Sequence, residues 1–392
     1  MNAKPFIGSL EGHRDGVYCM ARNAADLKQI ISGSADGEVR LWNLATRKCT
    51  WKTQAHPGAF VKGVGFIPNR SGHFLTAADD KLVKLWNVED HIKPTNIFQG
   101  TDSFTGLDMH RQGNLFATSS TSGCVDVWDL ARAEPVQTFS WGADTVSTVR
   151  WNQAETSIVA SAASDRSVMF HDMRMKNSLA KLVLAMNSNS IAWNPMEAFY
   201  FAVANEDHQA YVFDMRYLDK AVNVLRGHVG AVLDVDYAPT GQELVTASYD
   251  KTMRIYDVRA GSSRDIYHTR RMQRLFCARF SGDANYVLTG SDDGNVRIWK
   301  AQASAKLGVV APRQKAALEY ADALKQRYKE LPEVKRVLQH RIIPKQIKSA
   351  SRITQIQRDS IKRKEENRRK HSKPGTIQAS NIRKDIVVTV KK

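Results

Sequence analysis

Over the first three hundred residues the apolar positions come in short bursts divided by turns rich in Gly, Asp and Ser, a rhythm that predicts strands and hairpins. The stretch Leu10–Asn43 sets the plan: Gly12-His13 near its start, two short apolar segments, a turn at Asp36-Gly37, and Trp42-Asn43 at its end. Positions equivalent to Trp42 are Trp86, Trp128, His171, Phe213, Tyr256 and Trp299, at steps of 44, 42, 43, 42, 43 and 43 residues. Six residues before each lies Asp36, Asp80, Ser122, Asp165, Asp207, Asp250 or Asp293, acidic in six of the seven units.

The period has a physical cause. Four short strands joined by tight turns need about forty residues, and a single sheet of that size cannot bury both faces, so such units must stack around a ring. A period in the low forties, with GH near the start of a unit and WD at its end, is the mark of WD repeats. The expected fold is therefore all-β, a seven-bladed propeller over residues 1–300, with one unit per blade and a basic helical extension over 301–392. Lys4–Leu10 align with the segment that precedes GH elsewhere, such as Ala221–Arg226 before Gly227-His228, and predict the outer strand of the last blade. That pairing would close the ring and leave no strand edge open at the seam. Blades four and five are degenerate, with His171-Asp172 and Phe213-Asp214 in place of WD and no GH.

His13, Asp36 and Trp42, with Ser32 or Ser34, are the residue types needed to hydrogen-bond a blade together and to satisfy a buried imidazole and indole. His228 and Asp250 are the corresponding pair in blade six. Because the trio recurs as a pattern, a structural role is expected for it, not a catalytic or metal-binding one. Trp141 and Trp193 fall outside the anchor register and predict either rim contacts or inter-blade packing. The motifs GxSxG, P-loop, HExxH and a dinucleotide-binding GxGxxG are all missing from the sequence, so no enzyme, cofactor or small-molecule substrate is expected. Cys19, Cys49, Cys124 and Cys277 show no CxxC spacing and predict neither zinc nor a disulfide framework, which fits a reducing compartment. No apolar run is long enough to span a membrane, and the first residues lack the pattern of a signal peptide.

Charge divides the chain in two. Residues 300–392 hold 25 Lys and Arg against 8 Asp and Glu, an excess of 17 that equals the net charge of the whole chain, so residues 1–299 are formally neutral. In the basic part, Ala317, Ala321, Leu324, Tyr328 and Leu331 recur at helical spacing and predict one amphipathic helix over Gln314–Leu331. Leu324, Tyr328 and Leu331 would dock that helix on a partner surface. Pro332 suits the first turn of a second helix and Pro344 marks the next break. From Lys345 to Lys370 the chain is polar and basic with a thin stripe of Ile347, Ile353, Ile356 and Ile361. The run Lys362-Arg363-Lys364 and Arg368-Arg369-Lys370 reads as a nucleic-acid arm, a nuclear localisation signal or a solvated helix surface. An imbalance of three to one over more than ninety positions repels itself unless an anion neutralises it, and phosphate is the expected anion. The candidate phosphate contacts are Lys335, Arg336, Arg341, Lys345, Lys348, Arg352, Lys362, Arg363, Lys364, Arg368, Arg369 and Lys370. Tail aromatics are limited to Tyr320 and Tyr328, so recognition through backbone and shape is expected, with partial folding on binding.

SWGAD (140–144), WNPMEAF (Trp193–Phe199), ANEDHQAYVFDMR (Ala204–Arg216), RIYDVRAGSSRDIYHTRRMQ (Arg254–Gln273) and, outside the repeats, LPEVKRVLQHRIIPKQI (Leu331–Ile347) together resemble the suppressor-of-fibrillarin family of nucleolar WD-repeat proteins. The resemblance covers nearly the whole chain. It implies a non-catalytic scaffold of the small-subunit processome, located in the nucleus and nucleolus, needed for small-subunit ribosomal RNA maturation. Its implied partners are other processome proteins, pre-ribosomal RNA and box C/D small nucleolar RNA. Family members usually carry a basic segment before the propeller, whereas this sequence opens almost at the closing strand, so contacts of that segment are not expected from these residues. Asp172-Met173-Arg174, Asp214-Met215-Arg216 and Asp257-Val258-Arg259 also resemble the box that WD proteins offer to the adaptor of cullin-RING ubiquitin ligases. They keep open a second role as a substrate receptor, through Arg174, Arg216 and Arg259, beside simple pairing of each Arg with its Asp.

Overall fold

Each predicted hairpin pattern folds as antiparallel sheet, and the computed structural model describes residues 4–89, 93–142, 144–175, 177–373 and 375–391, the side chain of residue 339 apart. Among the described residues there are seven sheets, six of four strands and one of five. The innermost strands, Val17–Arg22, Val61–Phe66, Phe104–Met109, Val146–Trp151, Ser188–Trp193, Val232–Tyr237 and Leu275–Phe280, each pack on the next, and the seventh returns to the first. This is a closed seven-bladed propeller.

The second strand of every blade has one pattern: a half-buried first residue followed by five buried ones, as in Gln29–Ser34 (QIISGS) and Ile158–Ala163 (IVASAA). A strand pressed between two neighbouring blades has no wet face, so polar and apolar positions cannot alternate there. Small Ser, Ala, Thr and Gly fill it instead. Outer strands such as Pro135–Ser140 alternate toward solvent. Large apolar side chains gather in clusters between adjacent blades; one, for example, joins Trp51 and Val61 to Phe74 and Trp86.

Sequence unit and blade are out of phase by one strand. The unit that ends at Trp42-Asn43 supplies the outer strand of blade seven and three strands of blade one, whose fourth strand is Lys48–Gln54. Ring closure follows from this offset: Phe6–Leu10 pairs antiparallel with Val296–Lys300, Leu10 opposite Val296, and the Lys300 amide donates to the Pro5 carbonyl at 2.9 Å.

Beyond Lys300 the chain forms helices α1 (Pro312–Arg327), α2 (Pro332–Gln339), α3 (Lys345–Lys370) and α4 (Ile382–Asp385). The single helix expected over Gln314–Leu331 stops at Arg327. Leu331 precedes a proline and is extended (φ −63°, ψ 132°), as the proline ring demands, so Leu331 caps α2 and does not continue α1. Pro344, likewise extended, opens α3.

A strand not foreseen from the sequence follows α4. Val387–Lys391 pairs antiparallel with Ser178–Leu184, the outer strand of blade four, with Leu182 opposite Val390 and Val183 opposite Thr389. It is the fifth strand of that sheet. Just before it, Ile386 is buried in the cluster shared by blades four and five, the Ala185 amide donates to the Ile386 carbonyl at 2.9 Å, and the Ala221 amide donates to the Arg383 carbonyl at 2.8 Å. The extension thus begins at blade seven and ends as part of blade four.

Candidate protein and RNA interfaces

The hydrogen-bonded network inside each blade is written differently from blade to blade. In blade two, His56 Nδ1 meets Asp80 at 2.7 Å, His56 Nε2 meets Thr76 Oγ1 at 2.8 Å, and the Trp86 indole donates to that hydroxyl at 3.0 Å. Blade six repeats it with His228, Asp250 (3.0 Å) and Thr246 (2.7 Å), while the Tyr256 hydroxyl donates to the Arg226 carbonyl. In blade one, His13 Nε2 and the Trp42 indole share Ser32 Oγ at 2.7 and 2.8 Å, so Ser32 is the fourth member and Ser34 bonds the Asp15 carbonyl. Asp36 does not join that network. It accepts the Glu38 amide in its own turn, and the Glu38 carboxylate, paired with Arg40 at 2.9 Å, stands 3.7 Å from His13 Nδ1. Blades two and six have Leu82 and Thr252 where blade one has Glu38, so no second carboxylate competes there. Blade four substitutes His171, held between Ser161 Oγ (3.2 Å) and Ser178 Oγ (2.7 Å).

Around the axis, acidic groups lock the inner strands to one another. Asp234 accepts Ser190 Oγ (2.8 Å) from blade five and pairs with Arg279 (2.7 Å) of blade seven; Asp108 of blade three accepts the Trp151 amide (2.7 Å) of blade four. Cys19 and Cys277 face the same channel, and burial pushes the Cys19 thiol up to about 12 and the Cys277 thiol well above its usual value. Trp193 belongs to inter-blade packing: it is buried and its indole donates to the Arg150 carbonyl at 3.1 Å. Trp141 is half-buried against the blade-three and blade-four cluster.

The three Asp-x-Arg triplets follow the third strands of blades four, five and six, on equivalent turns. Each Asp closes its own turn by accepting the backbone amide of the Arg two residues on, at 2.9, 3.0 and 3.0 Å. Asn43, Asn87 and Asp129 make the same bond in blades one to three. The Asp is therefore accounted for by the turn. Arg216 also pairs with Asp214 through its side chain, at 3.1 and 2.8 Å, and lies 4.6 Å over the Phe199 ring. Arg174 and Arg259 are exposed and, among the described residues, make no ion pair.

The tail presents its cations openly. Of the candidate phosphate contacts, all but Arg341 and Arg369 are exposed; Arg341 is half-buried and donates to the His340 carbonyl (3.0 Å) beyond the end of α2. Helix α3 runs 26 residues, about 39 Å, with none of them buried. Among the described residues none of its cations pairs with a carboxylate, and Ile353, Ile356 and Ile361 are more than half exposed. Leu324 is half-buried, while Tyr328 and Leu331 are 45% and 50% exposed, so among the described residues the stripe is not buried against the propeller. Burial pushes the Asp207 carboxyl of blade five up, against the hydrogen bond of the Tyr211 hydroxyl and, more weakly, the charge of Arg358 on α3.

A repeating blade network, a closed ring and a cationic helical extension define a WD-repeat propeller with an appended basic domain. The WD domain, G-beta repeat pattern matches residues 4–43, 47–87, 92–129, 219–257 and 268–300, passing over the degenerate blades four and five, and the Sof1-like domain matches residues 301–387. Over 393 residues the chain is 47% identical to "DDB1- and CUL4-associated factor 13" of Xenopus laevis, covering 99% of this chain and 87% of the relative. It is 46% identical to the human protein of that name over 396 residues (100% and 88%), and 43% identical to "Protein SOF1" of Saccharomyces cerevisiae over 419 residues (100% and 85%). The chain belongs to the Sof1-like family of WD-repeat proteins.

Proposed function

We propose that this protein is a non-catalytic scaffold of ribosome assembly that acts in the nucleolus: the neutral ring binds processome proteins, and the basic arm grips pre-ribosomal and box C/D small nucleolar RNA during small-subunit maturation. The observation that carries the reading is the segregation of charge. The whole excess of 17 lies in residues 300–392, and the cations of α3, all exposed but Arg369, form no ion pair among the described residues. A surface of that kind lowers its free energy by displacing counterions from a phosphate chain. The family resemblance and the yeast relative favour the ribosomal setting. The test keeps the fold intact: neutralising Lys362, Arg363, Lys364, Arg368, Arg369 and Lys370 to Gln in the full chain should abolish salt-sensitive retention of RNA. Retention unchanged between 50 and 200 mM salt would discard the reading.

A second reading, a substrate receptor of a cullin-RING ligase, is favoured by one structural observation. The Asp of each triplet is spent on its turn, which leaves Arg174 and Arg259 exposed on equivalent turns, and vertebrate relatives carry the name "DDB1- and CUL4-associated factor 13". Charge reversal at Arg216 and Arg259 releases the adaptor under this reading, and co-purification that survives the reversal rejects it.

A further inference from the structure

The last residues of the described chain do more than cover a strand edge. Fastening Val387–Lys391 to blade four carries α4 back beside the C-terminal end of α3, and these two segments, with residues 377–381 between them, line an open cleft of about 490 Å³. Three cations line it: Arg368 and Arg369 from α3, and Lys384 from α4. Glu365 and Asp385 share the lining, which therefore holds three positive and two negative side chains; the Ser380 hydroxyl donates to Asp385 at 2.6 Å, and among the described residues none of the three cations has an ion-pair partner. The position of Lys384 depends on the fastening. Its neighbours on both sides are tied to the propeller, Arg383 through its carbonyl to the Ala221 amide and Ile386 through its carbonyl to Ala185 and its side chain to the shared core.

We infer that this cleft is a phosphate-binding site for an RNA strand, assembled only when the chain's end is pinned to blade four. The inference rests on the RNA-binding reading above and names a site within it. The unpaired cations of α3 run through to its C-terminal end, where Arg368 and Arg369 meet Lys384 in the lining of the cleft, so a polyanion bound to that helix has the cleft at its end. The volume lies within the roughly 300–1,000 Å³ that commonly holds a small ligand, enough for one nucleotide. A regular phosphate chain, one charge per residue, suits cations spread along an exposed helix; an acidic peptide is the rival occupant.

The test uses the full chain and a fluorescein-labelled single-stranded RNA, titrated at several salt concentrations from 50 to 200 mM. Lys384→Gln removes one cation and leaves the fastening intact. It should weaken binding several-fold and reduce the slope of log K against log salt by about 1. Ile386→Asp should release the strand while keeping every cation of the arm; it should weaken binding by more, and raise amide exchange at Lys181–Leu184, where Lys384→Gln does not. If Ile386→Asp fails to fold, Lys384→Gln decides alone. Binding by Lys384→Gln with unchanged affinity and slope overturns the site, as does displacement of the RNA by polyglutamate at equal charge concentration. No binding by the unaltered chain overturns this site and the RNA-binding function together, whereas unchanged binding by the variants overturns the site alone.

Discussion

At the scale of the single residue, burial sets the behaviour of the histidines that hold the blades. The imidazoles of His13 and His171 are each pushed down to about 4, mainly by burial, with Arg40 adding to the effect at His13. An imidazole in the unfolded chain titrates near 6.5. Between those values the unfolded chain takes up protons that the folded chain refuses. The stability these groups contribute is therefore complete above about pH 6.5 and is lost as pH falls toward 4. A full shift of that size amounts to roughly 3 kcal/mol per group. The carboxyl of Asp293, held below its usual range because Arg297 and Ser291 outweigh its burial, acts in a more acidic window. We expect the urea midpoint to fall between pH 7 and pH 4.5. His171→Phe, which installs the residue that blade five carries at Phe213, should make that fall shallower; an unchanged slope would show that His171 does not contribute to it. Some of this chemistry was legible in the residues and some was not. His228 and Asp250 could be paired from their spacing, and they meet at 3.0 Å. Asp36 could not be excluded from its network that way, because the competitor is the carboxylate of Glu38, whose position is set by Arg40 and not by the repeat.

At the scale of the element, the propeller depends on inner strands that approach one another closely around the axis. Gly63, on the inner strand of blade two, faces the neighbouring strand so tightly that a methyl group there would lie 2.6 Å from Leu107 Cβ and 2.8 Å from the Leu107 backbone nitrogen. Backbone cannot yield as a side-chain tip can. Gly63→Ala should therefore destabilise the ring by about 1–3 kcal/mol, the usual cost of overpacking. Thermal melting of the two chains checks this, and an unchanged melting temperature would mean that blades two and three can slide apart freely. Elements governed by local chemistry were readable in advance: the WD period gave seven blades, Pro332 gave the start of α2, and Pro344 gave the break before α3. The tail strand was not. Its own signal, the β-branched run Ile386–Val390, was present, but a strand exists only by virtue of its partner, and nothing local says that the free edge is that of Ser178–Leu184.

For the whole molecule, ring and arm are bound to each other more closely than their charges suggest. The two blades that the WD pattern passes over, four and five, are the two that receive Ile382–Lys391. Cutting the chain after Lys300 therefore does two things besides removing cations. It bares the backbone edge of Ser178–Leu184 and empties the seat of Ile386, and it leaves a ring with a net charge of only +1. An open strand edge recruits other strands, and a protein near zero net charge has little repulsion to prevent it. We expect the chain truncated at Lys300 to associate at low salt where the full chain stays monodisperse, as measured by light scattering. A peptide of residues 380–391 supplied in trans restores the edge pairing without the charge of α3, and it should suppress that association. If the truncated ring stays monodisperse without the peptide, blade four tolerates its bare edge and the tail strand serves the arm alone. If it associates and the peptide has no effect, the lost charge is the cause and the strand edge is not.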